Sequence, residues 1–490
     1  MSLKILALNP PFFEKFSRDS RSPGVSKGGC LYYPIWLGYC TGALEQAGHK
    51  VELYDAPAEE KTISDLEADA KAFAPDLIVL ETVTASYWND IEIAKKLKQW
   101  LPETFILAVG THVGVLPEEA LKDCLAFDAV ARMEFDAIAR ELAQKLDGGK
   151  DWKSVNGISF REKGKIIHNP EHAFLSGEEL DALPFVSEVY KWHLKIEHYF
   201  YPSVLYPEVT IMTGRGCKYR CTFCEWPQTL MGRTYRARSV KNVVDELDWI
   251  SKNLPQVKDV MIEDDTLTQD KQRTIELCQE ILQRGLKITW TCNSRADIDL
   301  ETLEWMKKAG CRLMCLGFES GVQEILNNIR KGTTIEKISQ FMKDSKKAKI
   351  LVHGCFMMGN KGETPETIRK TIQFAKELDP DTAQFFPIMV YPGTEAYDWA
   401  KSEGFLTTKN WNEWLLPDGT HNSIVSRPGL SDQELVQWCD EARRQFYLRP
   451  SYILRKIGQG ISSPKEFPRL FKSAGTFYKF LFKKPFKAKT

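Results

Sequence analysis

The sequence predicts an α/β protein: two successive parallel-sheet bodies, then a mainly helical C-terminal region. Three observations carry that expectation. Short apolar runs alternate with amphipathic stretches from residue 3 to residue 130, the alternation resumes after residue 205, and it fades after Gly404. A chain of 490 residues exceeds one ordinary domain. The pattern divides it into residues 1–150, a linker 151–204, a second body 205–405 and a C-terminal cap and tail 406–490. An apolar share of 43% leaves ample material for sizeable cores.

In the first body, Leu3–Leu8 reads as a buried strand, Trp36–Ala47 as a helix ending at Gly48, and Lys50–Tyr54 as a strand. Helix Thr62–Phe73, strand Asp76–Leu80, helix Asp90–Trp100, strand Thr104–Val109, helix Pro117–Cys124 and strand Phe127–Val130 follow. Short apolar strands between amphipathic helices specify a parallel sheet covered on both faces, a Rossmann-like body. Ligands of such sheets bind beyond the carboxyl ends of the strands. The candidate contacts there are Thr82, Val83 and Thr84, then Gly110, Thr111 and His112, then Glu134. Small hydroxyl residues and a glycine let a large flat ligand approach the backbone. Ordinary turn residues are the competing reading.

In the second body, strand-like Asp259–Ile262, Lys287–Thr291, Cys311–Leu316, Val352–Met358 and Thr382–Val390 alternate with helices. Each strand ends in polar residues, as the catalytic face of a partial (β/α)6 TIM-type barrel does. Asp270 and Thr364 read as helix N-caps. The decisive segment is Met212-Thr-Gly-Arg-Gly-Cys217-Lys-Tyr-Arg-Cys221-Thr-Phe-Cys224. Spacings of three and then two residues put three thiols on one tight loop, and thiolates are preferred ligands of iron–sulfur clusters. Three ligands leave one iron of a four-iron cluster open. A structural zinc site or a chance grouping is the alternative, but structural zinc takes four ligands and no fourth Cys or His is adjacent. The scattered cysteines, such as Cys278, Cys292, Cys311, Cys315 and Cys355, read as buried small hydrophobes.

The three-cysteine motif, with an aromatic before its last cysteine, resembles the radical S-adenosylmethionine (SAM) superfamily. That resemblance implies a [4Fe–4S] cluster on Cys217, Cys221 and Cys224, SAM chelated at the open iron, and reductive cleavage to a 5′-deoxyadenosyl radical. Glu319 and Ser320 match the family's Gly-Phe-Glu-Ser-Gly segment at the SAM ribose. Asn293 and Arg295 stand where the SAM amino-acid part is held, Asp264 with Asp265 on the pocket rim, and Gly359–Glu363 near the adenine. Tyr33-Pro-Ile-Trp-Leu-Gly-Tyr and the Gly-x-His segment within Val109–Glu119 resemble the cobalamin-binding domains that precede such barrels. The first-strand loop, Asn9-Pro-Pro-Phe-Phe-Glu, lacks the Asp-x-His-x-x-Gly motif that supplies a histidine to cobalt, so His112 reads as a contact to the cofactor's periphery.

Cys221-Thr-Phe-Cys-Glu-Trp-Pro-Gln-Thr and Tyr235-Arg-Ala-Arg-Ser are similar to the hopanoid-biosynthesis and anaerobic magnesium-protoporphyrin ester cyclase groups. The activity this implies is cobalamin-assisted methyl transfer, or carbon-skeleton chemistry, at an unactivated carbon of a lipid-like or amphiphilic substrate. A low-potential flavodoxin- or ferredoxin-type electron donor goes with it. A non-catalytic corrinoid and iron–sulfur redox sensor, or an RNA-modifying enzyme, are the other readings.

Lys+Arg and Asp+Glu both count 66, which argues against a nucleic-acid-binding surface. The N-terminal apolar run is too short for a signal-peptide core and no stretch suggests a membrane span, so the expected compartment is the cytoplasm. Beyond Pro450 basic residues interleave with aromatics, Lys483-Lys484 and Phe486 among them, a pattern suited to peripheral contact with an anionic membrane.

Overall fold

The computed structural model describes residues 2–26 and 28–462. Strands β1 (Lys4–Asn9), β2 (Lys50–Asp55), β3 (Leu77–Glu81), β4 (Phe105–Val109) and β5 (Ala129–Ala131) pair in parallel in the order β2-β1-β3-β4-β5. Alternate strand side chains leave on opposite faces. Ile5, Ala7 and Val79 join one core with helices α1 (Ile35–Gln46) and α5 (Asp136–Asp147). Leu6, Leu8, Ile78 and Leu80 join the other, with α2 (Ile63–Phe73) and α3 (Tyr87–Trp100). The short α4 (Pro117–Asp123) lies between β4 and β5 in the chain.

Residues 151–204, read as linker, add a hairpin. Strands β6 (Ile158–Glu162) and β7 (Lys165–His168) extend the sheet antiparallel to β5. Ile158 and Phe160 are buried, and the pairing covers what would otherwise be a bare sheet edge.

The second body is a six-stranded, all-parallel sheet in sequential order. Its strands are β8 (Glu208–Ile211), β9 (Asp259–Ile262), β10 (Trp290–Ser294), β11 (Cys311–Glu319), β12 (Leu351–Met358) and β13 (Thr382–Pro387). The first and last strands do not pair, which leaves the barrel open on one flank. The strand expected at Lys287–Thr291 lies at Trp290–Ser294, which brings Asn293 onto the sheet. Helices α6 (Val240–Asn253), α7 (Lys271–Gln283), α8 (Leu300–Lys308), α9 (Ile335–Ala348) and α10 (Pro365–Leu378) separate the strands. Asp270 and Thr364 cap α7 and α10 through their side chains, as expected.

Of the C-terminal elements, the helices flank the barrel, while the turn Trp411–Trp414 lies at the carboxyl ends of the strands, Trp414 Nε1 donating to the Val390 carbonyl at 3.0 Å. Helix α11 (Asp432–Tyr447) covers the outer face of β13, where Ala383 and Phe385 need burial, and the Tyr447 hydroxyl donates to the Ala383 carbonyl at 2.7 Å. Helix α12 (Pro450–Ser462) follows. The turn Trp411–Trp414 packs on the first body, with Trp411 Nε1 donating to Glu119 at 2.9 Å. The bodies also lock through Tyr33, whose hydroxyl donates to the Glu208 carbonyl at 2.8 Å. Among the described residues no helix is long and apolar enough to cross a membrane. Of the basic C-terminal stretch, Arg455 pairs with Asp379 at 3.0 Å, and the part from residue 463 onward lies outside the described residues.

Candidate active site

The cluster loop leaves β8 at the carboxyl end of the barrel and is pinned from below. Asp264, just past β9, accepts from the Thr213 amide at 2.6 Å and the Thr213 hydroxyl at 2.7 Å. A short antiparallel ribbon, Gly214–Arg215 with Arg236–Ala237, closes its base. Gly216 has φ +86°, and a Cβ there would stand 2.0 Å from the Thr234 carbonyl oxygen, so only glycine fits. Gln269 Nε2 donates to the Gly216 carbonyl at 3.1 Å. Cys217 and Cys221 are each 7% exposed. Burial, Asp265 and the neighbouring thiols push the Cys224 thiol up, so the three sulfurs share one field.

Two cations stand against this group. Arg295 reaches to 3.8 Å from Cys221 Sγ, stacks over the Tyr219 ring at 3.7 Å and donates to the Lys331 carbonyl. Arg21 pairs with Glu263, pairs with Asp265 at 3.2 Å, and favours the Cys224 thiolate. No three His, Cys, Asp or Glu side chains among the described residues converge on a single-ion site. A four-iron cluster asks for something else, one thiolate at each of three separate irons. The donor set therefore fits a [4Fe–4S] cluster better than a lone ion. Nearby, Glu263 Oε2, Asp265 Oδ2 and Asn293 Nδ2 are buried without a hydrogen-bond partner. Acceptors and a donor left over beside the thiols suit a ligand carrying both an ammonium and a carboxylate, as SAM does.

Among the expected SAM contacts, Asn293 and Arg295 reach the cluster loop's surroundings. Glu319 sits at φ +63°, a strained backbone for a non-glycine residue, and pairs with buried Lys331 at 2.8 Å. Ser320 turns elsewhere: its hydroxyl lies 3.1 Å from Thr371 Oγ1 and accepts from the Val322 amide at 3.2 Å, which closes the turn after β11. Asp264 anchors the loop and does not line a rim. Glu363 bonds its own loop, accepting from the Gly359 and Asn360 amides at 2.5 and 3.0 Å.

The strand-end residues of the first sheet are nearly all engaged internally. Thr82 donates its hydroxyl to the Val109 carbonyl at 3.1 Å, and Val83 is buried. Gly110, φ +110°, packs on Thr82, where a Cβ would stand 2.2 Å from the carbonyl oxygen. His112 is wedged between Tyr87 and Trp411, with centroids at 4.3 and 4.9 Å, and its Nδ1 lies 3.1 Å from Thr84 Oγ1. Burial lowers it to about 3, so the ring is neutral. Its packing is that of a core residue, not of a contact presented to a cofactor's edge. Glu134 likewise has another task. Its carboxylate accepts from Arg215 at 2.6 Å, Arg236 at 2.8 Å and the Leu175 amide at 3.0 Å, tying the first body to the ribbon under the cluster loop. Of this set Thr111 Oγ1 and His112 Nε2 are buried without a hydrogen-bond partner.

Sequence reasoning missed Arg21 and Lys331. Arg21 lies in the long segment after β1 and finds its acids more than 240 residues away, so no local pattern marks it. It also missed a cavity of about 680 Å³ at the barrel's open flank. Tyr201 and Ser203 before β8, Thr382, Gln384 and Phe386 of β13, His353 of β12 and serines of the segment 17–26 line it. Ile453, Ile457 and Ile461, one turn apart on α12, form its apolar wall. Tyr201 links the cavity to the barrel interior, its hydroxyl 3.9 Å from Cys315 Sγ.

A split barrel with three thiols at its mouth, docked on a Rossmann-like sheet, defines an open-cluster enzyme joined to a cofactor-binding body. Comparison with known proteins supplies the family. The Radical SAM superfamily matches residues 211–375 and the B12 binding domain residues 22–143. An uncharacterized methyltransferase of Pyrococcus horikoshii is 30% identical over 456 residues, 93% of this chain and 95% of that protein. The anaerobic magnesium-protoporphyrin IX monomethyl ester cyclase of Rubrivivax gelatinosus is 27% identical, over 74% of this chain and 65% of its own. The hopanoid C-3 methylase of Methylococcus capsulatus is 25% identical, over 81% and 74%. In fold, the chain is similar to a radical SAM methyltransferase, TsrM, of Kitasatospora setae, solved with cobalamin and a [4Fe–4S] cluster bound. The TM-score is 0.66 at 19% identity, covering 83% of this chain and 79% of that one. The chain belongs to the cobalamin-dependent radical SAM enzymes, and its cofactors are a [4Fe–4S] cluster, SAM and cobalamin.

Proposed function

We propose that the enzyme transfers a methyl group to an unactivated carbon of an amphiphilic, lipid-like substrate. The observation that carries this is the flank cavity, which joins a hydroxyl-rich inner end to an isoleucine wall on α12. When bound, the cluster supplies an electron to SAM, and the corrinoid carries the methyl group.

The chain's own residues set the frame. Asp264 and Gln269 hold the loop of Cys217, Cys221 and Cys224, and Arg21, Arg295 and Lys331 offset its negative charge. Lys331 and Arg295 are buried, so these cations act in a low-dielectric setting where their effect is large. Tyr32 and Tyr201, ring centroids 5.0 Å apart, stand in the cavity lining on the side toward Cys315. An apolar chain laid on Ile453, Ile457 and Ile461, which are otherwise exposed, would cover them and direct its far end toward the tyrosines. Two relatives are named for a hopanoid and a porphyrin, which fits an amphiphilic substrate, while a third is named for a cytidylylated phosphonate.

The test is anaerobic reconstitution with cobalamin, a strong reductant and SAM bearing a trideuterated methyl group, incubated with a total lipid extract. Methyl transfer yields a deuteromethylated lipid with S-adenosylhomocysteine and 5′-deoxyadenosine in equal amounts. Formation of 5′-deoxyadenosine with no methylated product would favour rearrangement or cyclisation instead. Ile457→Asp should abolish lipid methylation while leaving SAM cleavage intact.

A further inference from the structure

Three polar side chains from separate parts of the chain meet where the two bodies join. Thr111 follows β4, Glu225 follows Cys224 directly, and Tyr391 follows β13. They are 5%, 2% and 1% exposed. Thr111 Oγ1, both carboxylate oxygens of Glu225 and the Tyr391 hydroxyl all lack a hydrogen-bond partner. They are neighbours all the same. Thr111 lies close to the Glu225 carboxylate and Ser22 close to the Tyr391 phenol, which the field of Glu225 also reaches, yet neither approach attains hydrogen-bond geometry. Native folds pair almost every buried polar group, and three neighbours left bare point to something that completes them.

We propose that Thr111, Glu225 and Tyr391 are the polar contacts for the carboxamide rim of the bound corrinoid. The chemistry of the set selects that ligand. A carboxyl group accepts, and donates as well when protonated, while the two hydroxyls can do both. A primary carboxamide offers N–H donors and a carbonyl acceptor side by side, which completes both kinds at once. Placement agrees. Thr111 stands at the carboxyl edge of the parallel sheet, where ligands of such sheets bind, and inside the stretch that matches the B12 binding domain. Glu225 and Tyr391 come from the barrel, so the ligand would bridge both bodies. The inference rests on family membership and not on the substrate proposed above.

The test uses the full chain with its cluster reconstituted, in Tyr391→Phe, Thr111→Val and Glu225→Gln forms. Hydroxocobalamin affinity is measured by equilibrium dialysis, SAM affinity and iron per chain separately, and the melting temperature on corrinoid-free protein. Losing one such hydrogen bond should weaken hydroxocobalamin binding about tenfold in Tyr391→Phe, with smaller losses for Thr111→Val. Iron content and SAM affinity should hold in both. Corrinoid-free Tyr391→Phe should melt no lower than the parent, because it sheds a bare buried hydroxyl. Glu225→Gln, in protein with parental iron content, should weaken hydroxocobalamin as well. Unchanged hydroxocobalamin affinity in all three variants would mean that water completes these groups and would overturn the proposal. So would a loss of SAM affinity with the corrinoid still held tightly.

Discussion

At the carboxyl end of the barrel, Cys221, Arg295 and Glu319 of the residues expected from sequence draw together, while Ser320 and Glu363 serve their own turns. Cys221 and Arg295 stand within 3.8 Å, and Glu319 meets Lys331 at 2.8 Å beside them. At the carboxyl edge of the first sheet, residues in the same strand-end positions turn inward. His112 is packed between aromatic rings, Thr82 bonds a neighbouring strand, and Glu134 serves two arginines. The difference lies in what carries the signal. Three thiols at fixed spacing have a chemistry of their own wherever the loop points. A histidine or glutamate after a strand has a location, while its orientation is decided by distant partners.

The comparison breaks most visibly at the cluster. Cys224→Ser should lose iron and sulfide and drop SAM cleavage below detection, with hydroxocobalamin still bound. Loss of cobalamin along with the cluster would show that the two sites are not independent. Next comes Glu134. Glu134→Ala leaves buried Arg215 with Asp136 alone and half-buried Arg236 without its carboxylate, and should cost about 1–3 kcal/mol of stability in urea unfolding. Were Glu134 a cofactor contact, stability would hold and only cobalamin retention would fall.

Each sheet also buries a carboxyl kept neutral, and pH separates them. Burial raises Asp55, at the end of β2, to about 7, and raises Glu208, at the start of β8, to about 8. The folded form thus keeps protons that the unfolded chain gives up near its ordinary carboxyl pKa. Stability should therefore fall as pH rises from about 5 toward 8 and level off above it. Thermal melting of cofactor-free protein across that range should show the fall, and Glu208→Gln should make it shallower in the upper half. A flat profile in the parent would show that both groups are charged when folded. The smallest effect belongs to His112→Phe. It keeps the aromatic wedge, loses the contact with Thr84, and should cost about 1 kcal/mol with the cobalamin spectrum unchanged. A spectral change would mean that His112 reaches the corrinoid after all.

The alternation of apolar runs made both sheets legible, because β1 alone shows the rule: Ile5 and Ala7 enter one core, Leu6 and Leu8 the other. The hairpin of β6 and β7 was not legible. Its strands are too short, with Ile158 and Phe160 buried on β6 but β7 half-exposed, for their pattern to outweigh a loop reading, and it forms because β5 offers an unpaired edge. In the site, the thiol spacing was legible, whereas Arg21 was not, since its partners Glu263 and Asp265 belong to another body. Glu225 illustrates the same limit. It sits within the most informative stretch of the chain, yet a glutamate after a cysteine says nothing until the fold shows both its oxygens bare.

The turn Trp411–Trp414 has a consequence for how the protein is made. The core that encloses Leu8, Leu80 and Val113 also contains Ile388, Val390, Trp411 and Trp414. The first sheet therefore cannot seal that face while the ribosome is still adding the barrel. Synthesis leaves an open apolar flank for most of translation, during which chaperone shelter matters, and a fragment ending near residue 150 should precipitate when expressed alone.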